Sequence, residues 1–598
     1  MCGKEDKVNG QNIDEILKAN PNAPTNDEYA LNFARKLLQP REERVERALD
    51  LSFSEGPVSL SAVDEEEFEW CGEYTMGLLE AVLASTLISD PAKAEIDGMI
   101  TDSMPALDKE KTIGHFHFKW TETSADARDN VTEANIDATG AALNDCWNRY
   151  TTNFRQPKAA LVGGQRIIDV EVYFISWLFG STSSHTNKIF LNSRDVVRDD
   201  CRRRTVSAHE LFHRVQYAYG YVTGTGGQTW WVEGTASWSQ DYSYDGINDY
   251  VTRINGGLAN PDTSLLGRSY DACPYWKYFG EQVDKRSTPV TSEGQALDEF
   301  LEEYSTNGLD AKAAGGTVTQ NRISRAFDRF FQDWSKANYI KDLDNPSTRY
   351  EYDEDDEATV SCGRPYGPYA EVPVVVDETI TSDTFSWTSA TLAVNSYGTD
   401  YLRFRIDPAV TRISARFEGN PTGGSGQFSA HLIMIKDNRW RVIYNSPLTT
   451  EKTWDLSFEA GRYDRAVLVV NGLAVEGQYE VSVNACVSGV WQDNYNYIWT
   501  LVQSGRDITG TVRTRSCGTY SVTGTLGGTK ITLRASGRCC DFEYKGVVED
   551  CESGSGEWTN DCGGKGSWSM KRTEAAEAEA IFESEEMEIA DEPATTSP

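Results

Sequence analysis

The stretch Ala208-His209-Glu210-Leu211-Phe212-His213, together with Trp230-Trp231-Val232-Glu233-Gly234-Thr235-Ala236, decides how the centre of this chain is read. The first stretch lies in a helical pattern beginning near Thr205. Side chains four positions apart in a helix project from one face, so His209 and His213 can meet one metal ion. The chain has only six histidines in 598 residues, which leaves little room for a chance H-E-x-x-H. Glu233 comes twenty positions after His213, an interval that holds the end of the first helix, the Gly-rich run 220–227 and the entry into a second helix. A catalytic zinc takes three protein ligands and leaves a fourth position to water. His209, His213 and Glu233 supply three, for one Zn2+ per chain, and Glu210 stands beside the first ligand as the candidate general base. The competing reading is two helix-surface histidines and a helix-start glutamate favoured by the helix dipole.

Working outward, the character of the chain changes at Thr112, and His115-Phe116-His117-Phe118-Lys119-Trp120 alternates as a strand. Residues 131–150 carry helical spacing, 167–175 and 188–192 read as strands, and 194–204 reads as a charged connector. Helical patterns fill most of 238–340, and the acidic run 342–357 closes the unit, giving a mixed α/β catalytic domain over 111–357. Past Pro365 the period becomes two, as in Leu402-Phe404-Ile406 and Ala466-Leu468-Val470, which predicts a β-sandwich over 366–487. Shorter Gly-punctuated strands over 488–572 predict a small up-and-down barrel or open meander. Six of the twelve cysteines (Cys486, Cys517, Cys539, Cys540, Cys551 and Cys562) crowd into this end. No paired C-x-x-C pattern and no neighbouring histidine accompany them, so a disulfide framework in an oxidising compartment is expected rather than a second zinc site. Residues 1–26 read as a flexible tail and 27–110 as a helical region that is either a propeptide or a structural flank. Residues 573–598 read as a disordered acidic tail.

A formal charge of −35 repels a phosphate backbone, so no nucleic-acid partner is expected. No stretch reaches the roughly 18 to 20 uninterrupted apolar residues of a membrane span. Met1-Cys2-Gly3-Lys4 looks like a bacterial lipoprotein start whose signal peptide has been removed, with Cys2 as the lipid-bearing residue; an arbitrary start is the alternative. The expected location is extracytoplasmic, secreted or lipid-anchored at a bacterial cell surface.

The pair H-E-L-F-H and W-V-E-G-T-A resembles the gluzincin peptidases, the thermolysin and aminopeptidase group. The flanking H-F-H-F-K-W, C-W-N-R-Y and I-D-V-E-V-Y-F-I resemble a group of secreted bacterial metalloproteases, and the resemblance covers about residues 111–340. It implies a multidomain α+β chain in which a zincin-like catalytic domain precedes the β-sandwich and the disulfide-rich barrel or meander. It also implies His209, His213 and Glu233 as ligands, Glu210 as base, and a protein or peptide substrate. The chain departs from the thermolysin pattern at Ser237, where an aspartate would orient a histidine, and Asp241 or Gln240 are the candidates to replace it. Tyr270, Tyr275 and Tyr278 are candidate donors to the oxyanion, with Tyr270 foremost. No Gly-rich exopeptidase motif precedes the metal helix, which favours an endopeptidase. The alternative is an inactive surface-binding protein whose β-domains hold a polysaccharide or protein ligand. A structural Ca2+ is left open, with no pattern that points to one. His115 and His117 share a strand face and read as a half-buried pair before a second metal site, and Cys201 near His209 is expected to be paired rather than a nucleophile.

Overall fold

The computed structural model describes residue 92 and residues 105–573, less short internal stretches such as 175–178, 223–227, 344–349 and 446–452. Cys2, the expected N-terminal tail, nearly all of the helical region 27–110 and the acidic tail past 573 lie outside the described residues. The chain is a mixed α+β protein of several sheets that divides into two compact units, the first running to residue 371 apart from 261–263 and 343–346.

The first unit is built on a mixed sheet of β1 (Lys109–Ile113), β2 (Phe116–Trp120), β3 (Ala160–Val162), β4 (Gln165–Tyr173), β5 (Gly180–Thr182) and β6 (Lys188–Asn192), in the order β1-β2-β4-β6-β5 with β3 paired to β4. The pairs β2–β4 and β4–β6 are parallel, and β5 is an antiparallel edge on β6. Alternation works as expected in β2, where Phe116, Phe118 and Trp120 are buried and His117 and Lys119 are half-buried. Helix α1 (Glu133–Asn153) is capped by Thr132, whose hydroxyl accepts from the Asn135 amide at 3.3 Å.

Helix α2 (Asp200–Ala218) starts earlier than its apolar spacing indicates, because the Asp199 carboxylate accepts from the amides of Cys201 and Arg202, both at 3.0 Å. That cap turns the last part of the expected connector 194–204 into the first turn of the helix. From Thr205 to Tyr217 α2 is buried on all sides. It lies between α1 and α3 (Thr229–Ser243). The Tyr150 hydroxyl donates to the Ala208 carbonyl at 2.8 Å, and Tyr150, Phe154, Phe212, Trp238 and Tyr242 interlock as edge-to-face and stacked rings. Truncating such a core ring costs about 3–5 kcal/mol, so this cluster fixes where α2 lies. Helices α4 (Val251–Ala259), α5 (Cys273–Arg286), α6 (Gln295–Thr306), α7 (Ala311–Ile323) and α8 (Phe327–Ile340) follow, with a 3-10 turn, Tyr270–Ala272, leading into α5, and then a hairpin of β7 (Thr359–Ser361) and β8 (Arg364–Tyr366).

The second unit contains a β-sandwich. One sheet holds β10 (Ser386–Thr388), β11 (Leu392–Val394), β13 (Arg412–Gly419), β16 (Thr453–Glu459) and β18 (Gly477–Asn484). The other holds β9 (Val376–Ile380), β12 (Thr399–Ile406), β14 (Phe428–Lys436), β15 (Arg439–Asn445) and β17 (Arg465–Gly472). Leu402, Phe404, Leu432, Leu468 and Val481 meet in its core. The unit also contains β19 (Gly489–Asp493), β20 (Ile498–Ser504), β21 (Asp507–Thr514), β22 (Gly518–Gly527), β23 (Lys530–Ser536), β24 (Phe542–Val548), β25 (Ser553–Asn560) and β26 (Lys565–Thr573). Each strand pairs antiparallel with the next, and β26 pairs with β19, so the expected barrel or meander is a closed barrel. Closure removes both sheet edges.

Two disulfides staple one end of this barrel. Cys517–Cys539 ties the β21–β22 turn to the β23–β24 turn, and Cys540–Cys562 ties the latter to the β25–β26 turn. Cys486 and Cys551 lie outside the described residues. No helix among the described residues is long and apolar enough to cross a membrane.

Candidate metal centre

Two helices bring the centre together. On α2 the two histidines lie one turn apart, with ring centroids 4.7 Å from each other and rings edge to face. On α3, Glu233 projects between them: its Oε2 lies 3.1 Å from His209 Nε2 and 3.7 Å from His213 Nε2. One donor atom from each of the three residues falls within 4.8 Å of the others, and all three residues are buried. The expected trio therefore converges, which required α2 and α3 to pack side by side.

Gly234 makes that approach possible on the far side of α3. A Cβ there would stand 2.5 Å from Trp276 Cδ1, and the Trp276 indole N–H donates to the Trp230 carbonyl at 2.8 Å. A side chain at 234 would push α5 away from the helix that carries Glu233.

Burial sets the protonation of the imidazoles. Desolvation pushes His209 down to about 3 against the raising effect of the Glu233 hydrogen bond, and His213 is lowered chiefly by the same burial. Both rings are therefore neutral at physiological pH, the form in which an imidazole can ligate a metal.

The tautomer of His213 follows from Gln216, one turn further along α2. The Gln216 Nε2 donates to the Val232 carbonyl and to Thr235 Oγ1, both at 2.8 Å. Its Oε1 is thus the acceptor presented to His213 Nδ1 at 2.8 Å. His213 carries its proton on Nδ1, and the Nε2 lone pair points toward Glu233. Gln216 fills the orienting role expected of Asp241 or Gln240. Asp241 is instead engaged by Lys277, and Gln240 accepts from Arg253. Gln216 was findable in the sequence, since it lies three positions after a ligand on the same helical face.

Glu210 is buried beside the trio, and β5 comes close to its carboxyl. A Cβ built on Gly180 would stand 2.7 Å from Glu210 Oε1. The antiparallel edge strand thus runs against the candidate base, a contact the sequence did not reveal.

Of the three tyrosines, only Tyr270 reaches the centre. Its ring stacks on His209 with centroids 5.5 Å apart and planes 27° apart. Tyr275 is fully buried among Trp230, Phe327 and Trp334, and Tyr278 packs on Phe330 and Tyr352, so both are core residues.

His115 and His117 do not act together. His115 stacks on Trp147 at 4.0 Å and meets the Arg166 carbonyl, whereas His117 meets Asp169 at 3.0 Å. Cys201 is disulfide-bonded, so no free thiol stands there. The group Cys540, Asp561 and Cys562 also lies close together, but its two sulfurs are joined to each other.

Two neutral imidazoles, that of His213 oriented by Gln216, and one carboxylate oxygen form a donor set suited to zinc. The trio thus fits a single Zn2+.

No protein-family model matches the chain, and no curated protein matches it. Among solved structures, the Yersinia pseudotuberculosis-derived mitogen aligns over 20% of this chain and 97% of its own, at 10% identity and a TM-score of 0.14. Tripeptidyl peptidase 2 aligns over 36% of this chain and 24% of its own, at 9% identity and a TM-score of 0.15. The Bacillus licheniformis lipase BlEst2 in its propeptide form aligns over 31% of this chain and 43% of its own, at 8% identity and a TM-score of 0.13. Likenesses this slight carry no argument about fold or activity.

Proposed function

We propose that this chain is a zinc-dependent endopeptidase, in which His209, His213 and Glu233 hold one Zn2+ and Glu210 is the general base. The observation that carries the reading is the convergence of two neutral imidazoles and a carboxylate in a buried site, with His213 held by Gln216 in the tautomer that frees Nε2. Zinc bound there would lower the pKa of a water toward about 7 and polarise a substrate carbonyl.

The other parts belong to the chain itself. Glu210, buried and close to Gly180, takes a proton at its carboxylate and returns it to the leaving amine in this reading. Tyr270, lying on His209, is the donor assigned to the oxyanion. Burial of His209, Glu210, His213 and Glu233 strengthens the electrostatic interactions among them.

The bonded state of Cys201, Cys517, Cys539, Cys540 and Cys562 supports action outside the cytoplasm, where disulfides persist.

The test pairs metal analysis with casein hydrolysis for the wild type and Glu210→Gln. One zinc per chain in both, with hydrolysis only in the wild type, is the expected result. Zinc in both with activity in neither would favour a binding protein, and a chain that takes up no zinc would overturn the reading.

A further inference from the structure

We propose that Lys277 and Asp241 become joined by an isopeptide bond, formed by the chain itself with Glu281 as the proton-transferring group. Lys277 and Glu281 stand four positions apart on one face of α5, and Asp241 comes from α3, the helix that carries Glu233. The Lys277 ammonium meets the Asp241 carboxylate at Oδ2 and lies 3.2 Å from Glu281 Oε1. All three side chains are almost wholly out of water, with Asp241 2% exposed, Lys277 4% and Glu281 8%. The Tyr250 ring, its centre 5.4 Å from Lys277 Nζ, forms part of the surround. An amine donor, a carboxyl acceptor and a second carboxyl in reach of the nitrogen are the parts that amide condensation requires.

Two features separate this group from a buried ion pair that serves stability alone. Such a pair offsets its desolvation only when its remaining lone pairs are hydrogen-bonded, and Asp241 Oδ1 has no hydrogen-bond partner among the described residues. One ammonium also meets two carboxyls, and burial raises that of Glu281 to about 7, so below that pH it holds a proton. The other Glu281 oxygen accepts from the Asp353 amide at 3.0 Å, which fixes the direction of the carboxyl. The reaction starts from the ion pair. The Lys277 ammonium passes a proton to the Asp241 carboxylate, which gives an amine and a carboxylic acid with no change in net charge. The Nζ lone pair then attacks Asp241 Cγ, and Glu281 gives its proton to the departing hydroxyl and takes one back from the nitrogen. A C–N bond forms, a C–O bond breaks, one water leaves, and Glu281 ends as it began. In open water this condensation is unfavourable, but reactants held in contact act at an effective concentration of about 10⁵ M or more. The bond would tie α3 to α5 as the disulfides tie the barrel turns.

The test is peptide mapping of the full chain by mass spectrometry, after the disulfides have been reduced and alkylated and the protein digested with trypsin. The wild type is expected to give a branched peptide that joins the segments of Asp241 and Lys277, lighter than their sum by one water, about 18 Da. Trypsin should not cut after Lys277, and fragmentation should place the amide on the Asp241 carboxyl. Lys277→Met and Asp241→Ala should each give the linear peptides. Glu281→Gln keeps the pair but removes the proton shuttle, so its linked fraction should be at least about tenfold smaller at the same time after synthesis. Separate wild-type peptides with cleavage after Lys277 would overturn the proposal, and so would an amide to Glu281 in place of Asp241. Full linkage in Glu281→Gln would overturn the part given to Glu281. The wild-type digest decides whether the bond exists even where a variant fails to fold. It requires neither zinc nor hydrolysis, so its outcome is independent of the peptidase reading.

Discussion

In the first unit, α2 and α3 bury His209, Glu210, His213 and Glu233 against one another. In the barrel, the interior is filled by Trp491, Trp499, Leu533, Tyr544 and Trp568. Its polar atoms are satisfied locally, as where the Asp493 carboxylate accepts from the Trp499 indole and from the Tyr495 and Tyr497 amides, each at 2.9 Å. The barrel adds covalent staples to its apolar core, whereas the helical centre carries titratable groups in a dry interior. Buried ionisable groups disfavour folding unless they are paired or bind a metal, so the comparison separates a region held by apolar and covalent contacts from one that carries a folding cost at its buried titratable groups.

The largest effect that would break this contrast is on activity. Glu210→Gln should lower peptide hydrolysis by about 10²–10⁴-fold without changing zinc content, measured by initial rates and elemental analysis. Retained hydrolysis would remove the chemical role of the helical centre.

Next comes the covalent contribution. Replacing Cys517 and Cys539 by serine should destabilise the barrel by about 3 kcal/mol, the chain-entropy value for a loop of this size, and leave the α2–α3 region unchanged. Hydrogen exchange followed by mass spectrometry resolves the two regions. Equal loss in both would mean that they unfold together.

Gln216→Leu sharpens the assignment of the centre. Losing the partner that orients His213 should weaken zinc binding by about 10–100-fold, read by competition with a chelator, while the fold is retained. An unchanged affinity would show that His213 needs no such partner.

Acidity should act in opposite directions on the imidazoles of the centre and on Asp400 of the sandwich. Burial lowers the imidazoles of the centre, so in the metal-free protein their neutral forms contribute stability fully above about pH 6.5, and that contribution is lost as the pH falls toward 3. In the sandwich, burial of Asp400, which accepts from the Tyr479 hydroxyl at 2.7 Å, raises its carboxyl to about 7. The folded form therefore holds a proton that the unfolded chain releases near 4. This stabilisation is fully present below the unfolded value and lost as the pH rises through about 7. Lowering the pH from 8 to 5 should thus stabilise the sandwich by about 2–3 kcal/mol, and Asp400→Asn should abolish the dependence in region-resolved exchange measurements.

Local chemistry in the chain determined a good deal by itself. The spacing of His209 and His213 put both rings on one helical face, period-two alternation after Pro365 marked the sandwich strands, and Gly-punctuated short strands marked the barrel, because helix and strand periodicities are properties of the backbone alone. What tertiary structure decided was everything that depends on packing between elements. Sequence spacing could not say that Glu233 would reach the histidines, that Tyr270 and not Tyr275 or Tyr278 would lie on His209, or that β26 would close onto β19. Nor could it place Gly180 against Glu210 or Lys277 against Asp241, since those distances are set by how α2, α3, α5 and β5 pack around shared aromatic side chains. Gln216 stands between the two cases. Its place on the helix face was readable from the sequence, but its duty toward His213 followed only once Val232 and Thr235 had taken up its amide protons.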